Sequence, residues 1–220
     1  MVQIATDSGL MPRPLRRKRI LLAPGERAEV IVDFAQAAGE RVRLRSSARR
    51  TSRKGAARSE VGSLLEFRVG DPVADDTSIP ATLRPRPAWV TDIPAAPGLR
   101  WKIDLGGTVL PRWEINGRGF DPTYAETKVR LGETVHWEIH NASGAPHAFH
   151  LHHTDFLLLE RDGRTPPPWE RCLKDTFLLD PGERIRVAGH FSDHPGMFVV
   201  HCHMLDHEDH GLMSQFEVRG

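Results

Sequence analysis

The stretch His201-Cys202-His203-Met204-Leu205-Asp206-His207-Glu208-Asp209-His210-Gly211-Leu212-Met213 limits what this chain can become more than any other. The Gly-led apolar run Gly196-Met197-Phe198-Val199-Val200 leads into it and reads as a buried strand. Side chains on a strand alternate between faces, so His201 and His203 point one way and Cys202 the other. One strand end can therefore serve two sites. His207 lies five residues beyond the cysteine, far enough for a tight loop to return its imidazole beside the sulfur. One thiolate with imidazoles in a trigonal set, and a weak or absent axial ligand, is the arrangement of electron-transfer copper sites.

A second cluster supplies more imidazoles. In His147-Ala148-Phe149-His150-Leu151-His152, the i,i+2 pair His150 and His152 shares a strand face, while His147 sits where a loop enters the strand. The two clusters together surround one metal with His147, Cys202 and His207, and turn His150, His152, His201 and His203 toward another group. A free cysteine is usually a small buried hydrophobe, and Cys/His clusters in general hold zinc more often than copper. A closed four-ligand zinc site, however, would leave three of these seven residues unused and would not need the alternation around Cys202. Ligand softness and geometry select copper. His136, His140, His190 and His194 read as surface or hydrogen-bonded residues, and His153 and His210 adjoin the motifs without occupying ligand positions.

On these residues the chain resembles the C-terminal part of a multicopper oxidase, of the laccase and bilirubin-oxidase type. The pattern is His-x-x-His-x-His from residue 147 and His-Cys-His-x-x-x-His-x-x-x-Gly-Leu from residue 201. The resemblance implies a cupredoxin domain with a mononuclear copper held by His147, Cys202 and His207, with Leu212 at the axial position. Many bacterial relatives carry Met there, and its loss raises the copper potential. It places His150, His152, His201 and His203 in a trinuclear copper cluster, and makes Cys202 the electron relay between the two sites. The implied reaction is one-electron oxidation of a phenol-type or metal-ion reductant, coupled to four-electron reduction of dioxygen to water. Glu208 matches a position where related enzymes carry an acidic residue on a proton route. A solvated surface carboxylate is the equal alternative, and Asp206 and Asp209 are weaker candidates.

The family completes its cluster with two further His-x-His pairs from an N-terminal domain. The only such pairs in this chain are His150/His152 and His201/His203, four of the eight histidines expected. The implied partners are therefore N-terminal cupredoxin domains, on the same polypeptide or a companion chain. Family resemblance also implies a periplasmic or secreted location, with the signal sequence in the absent part. A single-copper electron carrier is the alternative function. It would have no use for the four extra histidines.

The remaining composition closes off other classes. In 220 residues with net charge +1, no run approaches a membrane span, and Met1 is not followed by a secretory n-region and apolar h-region. Two cysteines make no disulfide framework; with Cys202 claimed by copper, Cys172 reads as a buried free thiol. Residues 1–70 hold 15 Lys/Arg against 7 Asp/Glu, leaving 15 against 22 for the other 150. The basic excess lies in Arg16-Arg17-Lys18-Arg19 and from Arg41 through Arg58. No aromatic interleaving or reading motif accompanies it, so it reads as a solvated edge rather than a nucleic-acid site.

Along the chain the pattern is all-β, with no helix of consequence. Val2 to Ala5 and the runs Ile20 to Leu22 and Ala28 to Phe34 read as strands, the last two flanking the tight turn Pro24-Gly25-Glu26-Arg27. These features resemble the closing half of a middle cupredoxin-like domain over residues 1–70. Val42 and Leu44 alternate with arginines, and Leu64 to Val69 can pair with them. Residues 71–98 carry six prolines and read as an extended linker. From residue 99 to 220, short strands at turn-separated spacing predict an antiparallel Greek-key sandwich, the copper-binding domain. Leu131-Gly132-Glu133 and Pro181-Gly182-Glu183-Arg184 read as hairpin turns, the latter an echo of Pro24-Gly25-Glu26-Arg27.

Overall fold

The computed structural model describes residues 1–47, 60–107 and 112–220. β1 (Val2–Thr6) and β2 (Gly9–Arg16) form a hairpin, and β3 (Glu29–Ile31) pairs on the other edge of β1, giving the order β2-β1-β3. The strand expected over Ala28 to Phe34 is thus shorter, and Ile20-Leu21-Leu22 forms no strand. A bulge between Gln3 and Ala5 on the five-residue β1 limits what it can pair. The apolar run instead lines a recess of about 210 Å³ beside Trp169. β4 (Arg41–Ser47) and β5 (Glu60–Arg68) form a separate antiparallel ribbon, with Arg43 Nε 3.0 Å from Glu66 Oε2. Residues 48–59, and the part of the basic run within them, lie outside the described residues. Residues 71–98 enter no ladder and contain one 3-10 turn, Ala88–Asp92.

Two larger sheets follow. Their strands are β6 (Leu99–Gly106), β7 (Arg112–Ile115), β8 (Lys128–Arg130), β9 (Thr134–Asn141), β10 (His147–Leu151), β11 (Phe156–Arg161), β12 (Leu173–Lys174), β13 (Thr176–Leu179), β14 (Arg184–His190), β15 (Gly196–Cys202) and β16 (Met213–Arg219). One sheet runs β13-β10-β15-β16-β8 and the other β12-β11-β14-β9-β6-β7. The expected sandwich is therefore mixed rather than purely antiparallel, since β16/β8 and β6/β9 are parallel pairs. Between the sheets Trp137 lies 5.4–5.7 Å, ring to ring, from Trp101, Phe156, Phe191 and Phe216. These aromatics are buried and supply the apolar area that holds the sheets together.

The two Gly-Glu turns of this half are not hairpins. β8 and β9 belong to different sheets, as do β13 and β14, so each turn carries the chain across the end of the sandwich. A tight turn has the same local chemistry whichever sheet its next strand joins, which is why the sequence pattern missed this. The echo itself is structural. Glu133, Glu183 and Glu26 each accept, at 2.7–2.9 Å, the backbone N–H three residues earlier, after a glycine at φ 80–86.

Candidate metal centre

β10 and β15 lie side by side, and their register decides what their side chains can do. His150 pairs directly with His201, and Phe149 with Cys202. Directly opposite residues share a face, so one face gathers the imidazoles of His150 and His201 while the other receives Cys202. His147 is the first residue of β10 itself rather than part of an entering loop. Its odd spacing from His150 puts it on the Cys202 face. A one-residue slip would exchange the two sets.

His207 arrives by a different route from the tight loop expected. α1 (Leu205–Asp209) is a single helical turn, closed by the N–H groups of His207 and Glu208 donating to the Met204 carbonyl at 2.9 Å. Gly211, at φ 78, ends it, and Leu212 then bonds back to the His207 carbonyl at 2.9 Å. The turn brings His207 Nδ1 to 3.1 Å from His147 Nδ1, and Cys202 Sγ lies 3.6 Å from each. The point equidistant from these three atoms is about 2.0 Å from each, an ordinary bond length from a transition-metal ion to imidazole and slightly short for thiolate. Leu212 is fully buried and its carbonyl accepts from the Cys202 N–H at 3.1 Å.

A hydrogen bond sets which nitrogen His147 offers. Ser143 Oγ donates to Asn141 Oδ1 at 2.8 Å, so it receives the Nε2–H of His147, also at 2.8 Å. The lone pair of His147 is then on Nδ1, inside the triangle. Burial lowers its pKa to about 4, which keeps the ring neutral and available as a ligand. Burial pushes the Cys202 thiol up, so a bound metal must displace its proton. The Trp113 ring covers the pair, 4.9 Å from His147 and 4.6 Å from His207.

The second group is four imidazoles. Ring centroids of His150 lie 4.7 Å from His152, 5.3 Å from His201 and 4.7 Å from His203, and His201 is 4.8 Å from His203. His152 Nε2 is 3.0 Å from His201 Nε2. Ligand atoms of His150, His201 and His203 all lie within 4.8 Å of one another. Burial and the neighbouring imidazoles lower the pKa of His152 to about 4 and also hold His201 and His203 below the ordinary value. Glu208 Oε1 stands 3.4 Å from His201 Nδ1.

Four of the other histidines have partners outside both groups. His136 Nδ1 bonds the Pro94 carbonyl at 2.9 Å, His190 bonds Thr134, and His153 donates to the His194 carbonyl at 2.8 Å. His210 Nδ1 lies 2.6 Å from the Asp206 carbonyl. Cys172 is a buried free thiol, 3.5 Å from Thr6 Oγ1. Ser143, Trp113 and Asp175 were not read from the sequence as site residues. Asn141-Ala-Ser143 ahead of His147 was the signal available for the first. Nothing local marks the other two, because their places beside the histidines come from chain segments far apart in sequence.

Residues 92–220 match the multicopper oxidase family model. The chain belongs to the multicopper oxidase family. It is 38% identical over 209 residues to a laccase of Haloferax volcanii, covering 90% of this chain and 34% of that protein. It is 34% identical over 233 residues to the bilirubin oxidase of Albifimbria verrucaria, covering 97% of this chain and 38% of that one. A variant of the multicopper oxidase McoA from Aquifex aeolicus superposes with a TM-score of 0.84 at 30% identity, over all of this chain and 50% of that one. This chain thus spans between a third and a half of the length of these multicopper oxidases. Among its described residues, no helix is long and apolar enough to cross a membrane.

Proposed function

We propose that this chain is the C-terminal portion of a laccase-like oxidase that couples one-electron oxidation of a phenol-type or metal-ion reductant to four-electron reduction of dioxygen. In this reading residues 1–70 are the closing half of a middle domain, 71–98 a linker and 99–220 the copper domain, in a periplasmic or secreted protein. The observation that carries it is the triangle of His147 Nδ1, His207 Nδ1 and Cys202 Sγ, beside a separate group of four imidazoles. His147, Cys202 and His207 would hold a mononuclear copper, and His150, His152, His201 and His203 would share a cluster completed by N-terminal cupredoxin domains. Copper bound there supplies one-electron redox chemistry. Cys202 is bonded through the backbone to both His201 and His203, so the chain itself is a covalent path from one group to the other. A single-copper carrier leaves those four imidazoles without a use.

Reducing dioxygen to two waters takes four protons as well as four electrons. Glu208 is part-exposed and reaches His201, so it can take a proton from solvent and hold it beside the cluster. In the full-length protein, oxidation of four phenol equivalents per dioxygen is expected, and peroxide release at two equivalents would overturn the reading. Glu208→Gln should slow oxygen consumption at least about a hundredfold, the low end of the usual range for a lost acid–base group, while stopped-flow reduction of the blue copper is unchanged. Equal slowing of both steps would mean that the change acts through His207.

Leu212 is the residue at the axial position in this reading. Leu212→Met should lower the copper potential in a redox titration, because a thioether favours the oxidised ion, and Met213→Leu should leave it unchanged. The larger shift from Met213→Leu would place the axial position one residue later.

A further inference from the structure

The turn Pro24-Gly25-Glu26-Arg27 packs against the four-histidine group through Gly25 and against the neighbouring Lys174 and Asp175 through Glu26 and Arg27. A Cβ on Gly25 would overlap the His203 ring. Glu26 Oε1 accepts from the buried Lys174 ammonium at 2.6 Å. Arg27 forks onto Asp175, Nη1 to Oδ1 at 2.8 Å and Nη2 to Oδ2 at 2.6 Å. The same guanidinium donates to the carbonyls of Gly25 and Asp7, both at 2.8 Å, so its plane is fixed from two sides.

Asp175 in turn touches His150. Its backbone carbonyl lies 3.0 Å from His150 Nδ1 and its Oδ1 3.4 Å away, with Thr176 Oγ1 also at 3.0 Å. A carbonyl oxygen can only accept, so His150 carries its proton on Nδ1 and presents the Nε2 lone pair. His147 offers the opposite nitrogen.

We propose that Arg27 and Asp175 form a clamp that positions His150 for metal, with the turn at Gly25 as the wall against which His203 is set. This rests on the reading of that group as a copper site. Arg27 and Asp175 are positioning residues: Asp175 touches His150, and Arg27 acts on it through Asp175. The clamp works because the fork holds Asp175, Asp175 holds the His150 tautomer, and the missing Cβ at Gly25 leaves room for the His203 ring. Outer-shell partners of ligating histidines typically account for 10- to 100-fold in metal affinity.

The test is copper(II) titration of the full 220-residue chain, reading the blue charge-transfer band for the mononuclear site and the electron paramagnetic resonance of nitrogen-coordinated copper for the second group. Arg27→Lys keeps the charge but loses the fork, and Gly25→Ala intrudes on His203. Both should weaken the second class about 10- to 100-fold and leave the blue band intact. Gly182→Ala is the control for backbone strain, since Gly182 has φ 80 against 82 for Gly25 but no atom within 4 Å of its added Cβ. It should leave both classes unchanged. An unaltered second class in Arg27→Lys and Gly25→Ala, or equal weakening by Gly182→Ala, overturns the clamp. Nitrogen-15 imidazole spectra of the metal-free wild-type chain test it without metal or variants: the Nδ1–H tautomer of His150 is expected, and the Nε2–H tautomer overturns it. If wild type shows no second class even after a fragment bearing two His-x-His pairs is added, the copper reading of the group fails, and the clamp then stands or falls on whether Arg27→Lys shifts the His150 tautomer.

Discussion

Replacing Cys202 by Ser is expected to abolish the intense thiolate-to-copper band and lower copper affinity at the mononuclear site by about a thousandfold. The sulfur is one of three donors in the triangle, and the only one that is charged when bound. Metal binding by a full set of Cys and His ligands is worth about 10–16 kcal/mol at neutral pH, so losing one of a few ligands costs on the order of 4 kcal/mol, a factor of about a thousand. A serine hydroxyl does not ionise at that pH and is a hard donor, so it restores neither charge nor softness. Cys202 is buried against Phe149 and the core, and Ser is nearly its size, so folding should survive and near-ultraviolet dichroism should match wild type. Visible spectroscopy of the copper-loaded chains is the measurement. An intact blue band in Cys202→Ser would remove Cys202 from the site.

The strand periodicity up to Cys202 was legible because it is local, but β15 ends at Cys202 and β10 at Leu151, so His203 and His152 lie just past the strands expected to carry them. The partner of the β15 end was not legible. The pairing of His150 with His201 is a register between segments about fifty residues apart, and it follows from hydrogen bonding between β10 and β15 that no local pattern records. The single turn of α1 escaped for another reason, since five residues are too few to show helical periodicity. The parallel pairs β16/β8 and β6/β9 escaped because alternation looks the same for either strand direction. Arg27 illustrates the limit most clearly. In sequence it belongs to a turn resembling Pro181-Gly182-Glu183-Arg184, and both turns have the same backbone. Only the tertiary position of the first puts its glycine on a histidine ring.

Copper titration of this chain by itself is expected to yield one tightly held ion, further ions held weakly, and negligible reduction of dioxygen to water. The triangle of His147, Cys202 and His207 is closed within residues 147–207, and its three donor atoms already stand where one metal would meet them. The four-histidine group is different. A cluster of three coppers sharing these four imidazoles would leave most coordination positions to water, and ligands without a complete surrounding shell hold metal loosely. The wall formed by Gly25 and Arg27 covers one side of the group and contributes no ligand of its own. Leu44, Leu64 and Leu65 are 45–61% exposed, so the ribbon of β4 and β5 also presents apolar side chains that a neighbouring domain can cover. Adding a fragment that bears two His-x-His pairs should therefore raise the count of tightly held copper and start oxygen consumption with a phenolic donor, while the blue band changes little. Oxygen uptake and bound copper are measured before and after the addition. Sustained four-electron turnover by the purified chain alone would sink this expectation, and its dependence on protein concentration would then show whether two copies assemble a cluster between them.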